Sequence, residues 1–134
     1  MAKLSVIEGI GEAYQQKLNA VGVKSMEALL ETCATKKGRA QLAEKTGISE
    51  KQILTWANHA DLARIKGIGG QYAELLEAAG VDTIIELAGR KADNLYKKMV
   101  EVNEAKSLVR KLPTEKQVQD WITQASKLPR VMQY

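Results

Sequence analysis

Ile7-Glu8-Gly9-Ile10-Gly11 and Ile65-Lys66-Gly67-Ile68-Gly69 share one pattern, apolar-x-Gly-apolar-Gly, and each opens an amphipathic stretch. The second is the first displaced by 58 positions. The same shift puts Tyr14 on Tyr72, Leu18 on Leu76, Ala20 on Ala78, Gly22 on Gly80, Val23 on Val81 and Leu29 on Leu87. Ten identities from Ile7 to Leu29 without a gap make this an internal repeat. A second match stands at a shift of 65, where Ser49-Glu50-Lys51-Gln52-Ile53 falls on Thr114-Glu115-Lys116-Gln117-Val118 and Trp56 on Trp121. Copy two therefore carries about seven extra residues between Asp93 and Leu112.

Both copies read as helical. Ala, Leu, Glu, Lys and Gln are strong helix formers, prolines stand only at 113 and 129, and no alternating β-branched run suggests a strand. Apolar residues make up 45% of the 134, aromatics only 4%, and Phe is absent, so the core is expected to be aliphatic. Glycines and caps place the helices of copy one. A short helix ends near Glu8, a second runs from about Gly11 to Val21, and Ser25 caps a third ending near Ala34. A fourth runs from about Lys36 to Lys45 and stops at Gly47. Ser49 caps the fifth, with Gln52 at capping-box spacing. Thr114 and Gln117 repeat that signal in copy two, where Leu112-Pro113-Thr114 separates the last two helices. With no Gly/Ser-rich linker near residue 61, a helix running from Ser49 towards Ile65 is expected to join the copies. The fold class is all-α, with units over 1–61 and 62–134 packed as one compact body.

The hairpin glycines suggest a chemistry. They let the chain reverse tightly, and Ile10 or Ile68 between them plugs the two helices together. The helix that follows presents unpaired amides at its N-terminus, an anion site suited to phosphate. Hairpin two has Arg64 and Lys66 beside it, and Gly70 and Gln71 at the helix start. Hairpin one has Glu8 and Glu12, carboxylates that compete with phosphate. The net charge is +4, spread evenly over the two halves, which permits phosphate contact without demanding it.

The pattern resembles the helix-hairpin-helix motif of non-sequence-specific DNA-binding proteins. The resemblance implies two tandem five-helix units of the double helix-hairpin-helix (SAM-like) type, each with a pseudo-twofold and a connector helix. Thr46-Gly47-Ile48-Ser49 would be the degenerate second hairpin of copy one, and Leu112-Pro113-Thr114, without glycine, its counterpart. The overall arrangement is also similar to a bacterial domain family of unknown function, number 4332. The implied function is duplex DNA binding through the backbone, by Gly67, Ile68, Gly69, Gly70 and Gln71 with Arg64 and Lys66, and by Gly9, Gly11 and Gly47 in copy one. A monovalent cation against the hairpin carbonyls is implied too. The alternative is a protein-interaction or dimerisation module with purely structural hairpins.

Other signals point less far. Lys106 and Arg110, four apart, would share a helix face, with Lys111, Lys97 and Lys98 nearby, either as a phosphate-tracking stripe or as a solvated face. Leu42 to Ile53 also resembles a helix-turn-helix, in which the helix from Ser49 would enter a groove. His59 is the only histidine and Cys33 the only cysteine, so one chain holds neither a catalytic triad nor a thiolate cluster. His59 is expected on a helix surface and Cys33 in the core. Trp56 and Trp121 read as core anchors, as do Tyr14 and Tyr72, with hydroxyls bonded at the repeat interface. No catalytic constellation or metal site is legible, and a binding protein is expected. No apolar signal core and no stretch of transmembrane length is present, which suggests a cytoplasmic protein without membrane contact.

Overall fold

The computed structural model describes residues 3–133. Residues 1, 2 and 134, the outermost ends of the two expected units, lie outside the described residues. After a 3-10 turn at Leu4–Val6 come α1 (Glu12–Ala20), α2 (Met26–Cys33), α3 (Lys36–Thr46), α4 (Glu50–Leu62), α5 (Gly70–Ala78), α6 (Ile84–Ala88), α7 (Ala92–Lys106) and α8 (Glu115–Lys127). The described residues are all-helical, with no strand. None of the helices is long and apolar enough to cross a membrane.

Two compact units divide the chain between Asp61 and Leu62, and residues 131–133 belong to the first. The division falls on the repeat. Leu62 stands 58 residues after Leu4, and both are fully buried. The Ile65 N–H donates to the Leu62 carbonyl at 3.1 Å, as Ile7 does to Leu4 at 3.0 Å. That turn ends α4 at Leu62, after a helix that runs from Ser49 towards Ile65 as expected.

Local chemistry accounts for the helix ends. Ser25 Oγ accepts from the Ala28 amide (3.1 Å) and starts α2, while Thr83, its repeat equivalent, caps α6 through the Glu86 amide (3.4 Å). Thr114 and Gln117 form a complete capping box at the start of α8, a device that satisfies two otherwise orphaned donors. Helices α1 and α5 end alike, with Val23 donating to the Leu18 carbonyl and Val81 to that of Leu76, the wrapped bond of a Schellman ending.

Unit one packs Leu4, Leu18, Leu29, Leu42, Ile53 and Trp56 inside. Arg39, 5% exposed, closes the C-terminal end of α2 by donating to the carbonyls of Cys33 (2.9 Å) and Ala34 (3.4 Å). The same Ala34 carbonyl accepts from the Gln133 amide at 2.7 Å, and Met132 beside it is buried. Gly38 is where α3 meets α2: a Cβ there would stand 2.0 Å from the Thr32 carbonyl oxygen. In unit two, α8 packs on α6 and α7, and α5 on α7. These helices enclose a core built around Ile68, Leu76, Ile84, Leu95, Met99 and Trp121.

Candidate functional site

Hairpin two is a four-residue turn, Ile65 to Ile68, closed by the Ile68 amide on the Ile65 carbonyl (3.2 Å). Its third residue, Gly67, has φ +102°, a region that side chains strain to enter. A Cβ on Gly67 would also come within 3.0 Å of Trp121 Nε1. Ile68 is buried as the plug. Gly69 is the N-cap of α5 and has no such reasons to be glycine. Its φ of −96° is ordinary, and a Cβ there would meet nothing within 4 Å. The α5 ladder begins with the Ala73 amide on the Gly69 carbonyl (2.9 Å). The amides of Gly70, Gln71 and Tyr72 therefore lie ahead of it, among the donors a helix start leaves over. No acidic residue stands in this first turn.

The turn is held from behind by Gln124 of α8. Its Oε1 accepts from the Lys66 amide (2.9 Å) and its Nε2 donates to the Lys66 carbonyl (3.1 Å) and to Asp120 Oδ2 (2.8 Å). Fixing both backbone groups of Lys66 sends its side chain to the exposed surface.

In front of the turn lies a cleft of about 400 Å³, lined by Gly67, Gly69, Gly70, Gln71 and Tyr72 with Arg110 and Lys111. In the sequence those two cations group with Lys106, as a phosphate-tracking stripe or a solvated helix face. The structure brings them to the hairpin because α7 stops earlier than its pattern suggests. Ser107 takes a left-handed conformation (φ 51°) and ends the helix at Lys106. Asn103 then bonds both backbone groups of Val109, accepting from its N–H (2.9 Å) and donating to its carbonyl (3.1 Å). Val109 itself is buried. Beyond it the Tyr72 hydroxyl donates to the Lys111 carbonyl (3.0 Å) and ties the connection to α5. Arg110 thus lies outside the helix and shares no helix face with Lys106. The connection spans residues 107–114, longer than the expected Leu112-Pro113-Thr114. Arg64 and Lys66, the cations that flank the hairpin in sequence, are not part of the cleft lining.

Hairpin one repeats the backbone without the electrostatics. The Ile10 amide bonds the Ile7 carbonyl (3.2 Å). Gly9 has φ +93°, with a Cβ position 3.4 Å from Trp56 Nε1, and Gly11 again faces open space. Glu12, however, opens α1, and Glu8 is exposed in the turn. Gly47, with φ +76°, is the C-cap of α3, its amide on the Ala43 carbonyl (2.9 Å).

Trp56 and Trp121 are core residues, at 0% and 2% exposure. Tyr14 is not: it lies 40% exposed, edge-on to Trp56 with ring centroids 5.1 Å apart, and the Tyr72 hydroxyl is bonded inside its own unit. His59 was expected on a surface and is buried instead, because α4 is enclosed on every side from Trp56 to Leu62. A helix so enclosed has no free face over that length to lay in a groove. Cys33 is buried, and that burial pushes its thiol up to about 12 against the opposing charge of Arg39. Among the described residues no three His, Cys, Asp or Glu side chains gather as metal ligands would.

A family model, Domain of unknown function (DUF4332), matches residues 8–128, and the chain belongs to that family. No curated protein and no solved structure matches the chain.

Proposed function

We propose that this member of the DUF4332 family binds duplex DNA without reading its sequence, gripping backbone phosphate at hairpin two. The observation that carries this is the cleft itself. It gathers the leading amides of α5, a glycine that neither dihedral nor packing requires, and two cationic side chains from a separate segment. A glycine whose Cβ would meet nothing keeps the backbone open to close approach by a ligand. Amides at a helix start and an Arg beside them suit a phosphate oxygen, and phosphate contacts position a protein without carrying sequence information.

In this reading each unit is a double helix-hairpin-helix of the SAM-like type. The recurrence of turn, plug and indole in both copies supports it. Arg64 and Lys66 add positive field around the cleft. Hairpin one, with Gly9 and Gly11, is subordinate because Glu8 and Glu12 repel phosphate, and Gly47 serves the fold. A monovalent cation at hairpin two would share the Ile65 and Lys66 carbonyl oxygens with Ile68 and Gln124, each oxygen keeping a second lone pair. The activity is binding, with no chemistry performed. Exposed Val6 (43%) and Tyr14 (40%) in unit one favour a second reading, in which copy one docks a protein or another copy of the chain.

The test is fluorescence anisotropy of a labelled random-sequence duplex at several salt concentrations. Two to four phosphates gripped give a log–log slope of roughly −2 to −4. Lys66→Glu and Arg110→Ala are expected to weaken binding with helical content unchanged. No binding at low salt sinks the proposal and leaves the protein-docking reading.

A further inference from the structure

The cleft at hairpin two is larger than one phosphate requires. At about 400 Å³ it has roughly thirteen times a water's share of liquid volume, and it falls within the range of small-ligand pockets. The connection 107–114 makes it so, by carrying Arg110 and Lys111 to the hairpin and being anchored there through the Tyr72 hydroxyl. In copy one only Gly47, Ile48 and Ser49 stand between α3 and α4.

We infer that this cleft takes the terminal nucleotide of a DNA strand, bearing a phosphomonoester. The inference rests on the DNA-binding reading above and narrows its ligand. Three features of the cleft point to a strand end. Its volume of about 400 Å³ admits a single nucleotide and not the two paired strands of a duplex. An internal nucleotide must be unstacked and unpaired to enter, at a cost of a few kcal/mol, and that cost is least where the base is already loosely held, as at a strand end. Two cations beside the leading amides match the charge of a monoester, close to −2 at neutral pH, where an internal diester carries −1. Tyr72 lines the same cleft, its ring set against Trp121 and its hydroxyl held by the Lys111 carbonyl.

The experiment compares duplexes of one sequence ending in 5′-phosphate, 3′-phosphate or hydroxyl only, together with a covalently closed circle, by competition anisotropy with the full chain. One phosphorylated end is expected to bind roughly tenfold tighter than the hydroxyl end. That preference should shrink as pH falls below about 6 and the monoester dianion takes up a proton to become a monoanion. It should also vanish in the Arg110→Ala/Lys111→Ala variant, whose exposed positions leave the helices intact. Equal binding of all four ligands overturns the inference and leaves the backbone-gripping function standing. A preference that survives in the double variant overturns it too, by placing the end-binding elsewhere. Failure of every duplex to bind takes down both.

Discussion

Gly67 and Gly69 stand two residues apart, and the same substitution at each should do opposite things. Alanine at 67 must hold φ near +102°, a conformation costing about 1–3 kcal/mol for a residue with a Cβ. Its methyl would also press to 3.0 Å on Trp121 Nε1, and Trp121 is buried in the core with little room to yield. A loss of about 2 kcal/mol or more is expected, which at ~4 °C per kcal/mol lowers the melting temperature by ~8 °C. Alanine at 69 faces neither obstacle. It gains ~0.4–1 kcal/mol by stiffening the unfolded chain and gives up a similar amount because alanine is a poorer N-cap than glycine. The net change should stay within about 0.5 kcal/mol. Its methyl projects where the proposed phosphate approaches, so DNA affinity should drop about fivefold or more at unchanged stability. Circular dichroism melts and anisotropy titrations on the two variants decide the matter. Full affinity in a folded Gly69→Ala protein would refute the assignment of the cleft. An unchanged melting temperature in Gly67→Ala would refute the backbone reasoning.

Gly38→Ala drives a methyl to 2.0 Å from the Thr32 carbonyl oxygen, so α3 must move off α2; overpacking should cost ~2–3 kcal/mol in a denaturant titration. Met132→Ala empties a buried position in unit one and is expected to cost about 2 kcal/mol by the same assay. Cys33 keeps its proton in the folded protein up to about pH 12, against an ordinary value of 9.0. Its contribution to stability is therefore whole below pH 9 and is lost as pH rises towards 12, and thiol labelling at pH 8 should proceed only as fast as the protein opens. Asn103→Ala removes both bonds to Val109, which should loosen the connection and weaken DNA binding while α7 persists, a combination read by anisotropy alongside circular dichroism.

Much of the fold was legible because its punctuation is local. Glycines and Ser/Thr caps mark where helices stop and start, and the internal repeat marks them twice. What escaped notice depends on partners distant in sequence. Helix α7 ends at a serine without glycine or proline, because an asparagine side chain takes over the backbone bonds; its stop is invisible to a breaker count. Arg110 and Lys111 looked like a wet helix face for the same reason. His59 sits in a helix whose polar residues suggest a surface, and only tertiary packing encloses it. Gly38, in a lysine-rich helix start, gave no sign that a carbonyl would press against it. The hairpin glycines were found together, yet the structure separates their causes: Gly67 answers to dihedral and indole, Gly69 to neither.

The membership of residues 131–133 in unit one has a consequence for synthesis. Domains usually fold in the order in which they leave the ribosome, at about 5–20 residues per second. Here the whole of unit two, residues 62–130, is made between Asp61 and the segment that completes unit one. Translation alone imposes a delay of roughly 3–14 s. During that interval the first-made half lacks Met132 and the Gln133 bond to Ala34. The second-made unit ends at Arg130 and can therefore reach its full complement of residues before the first does, reversing the usual order of maturation along a nascent chain.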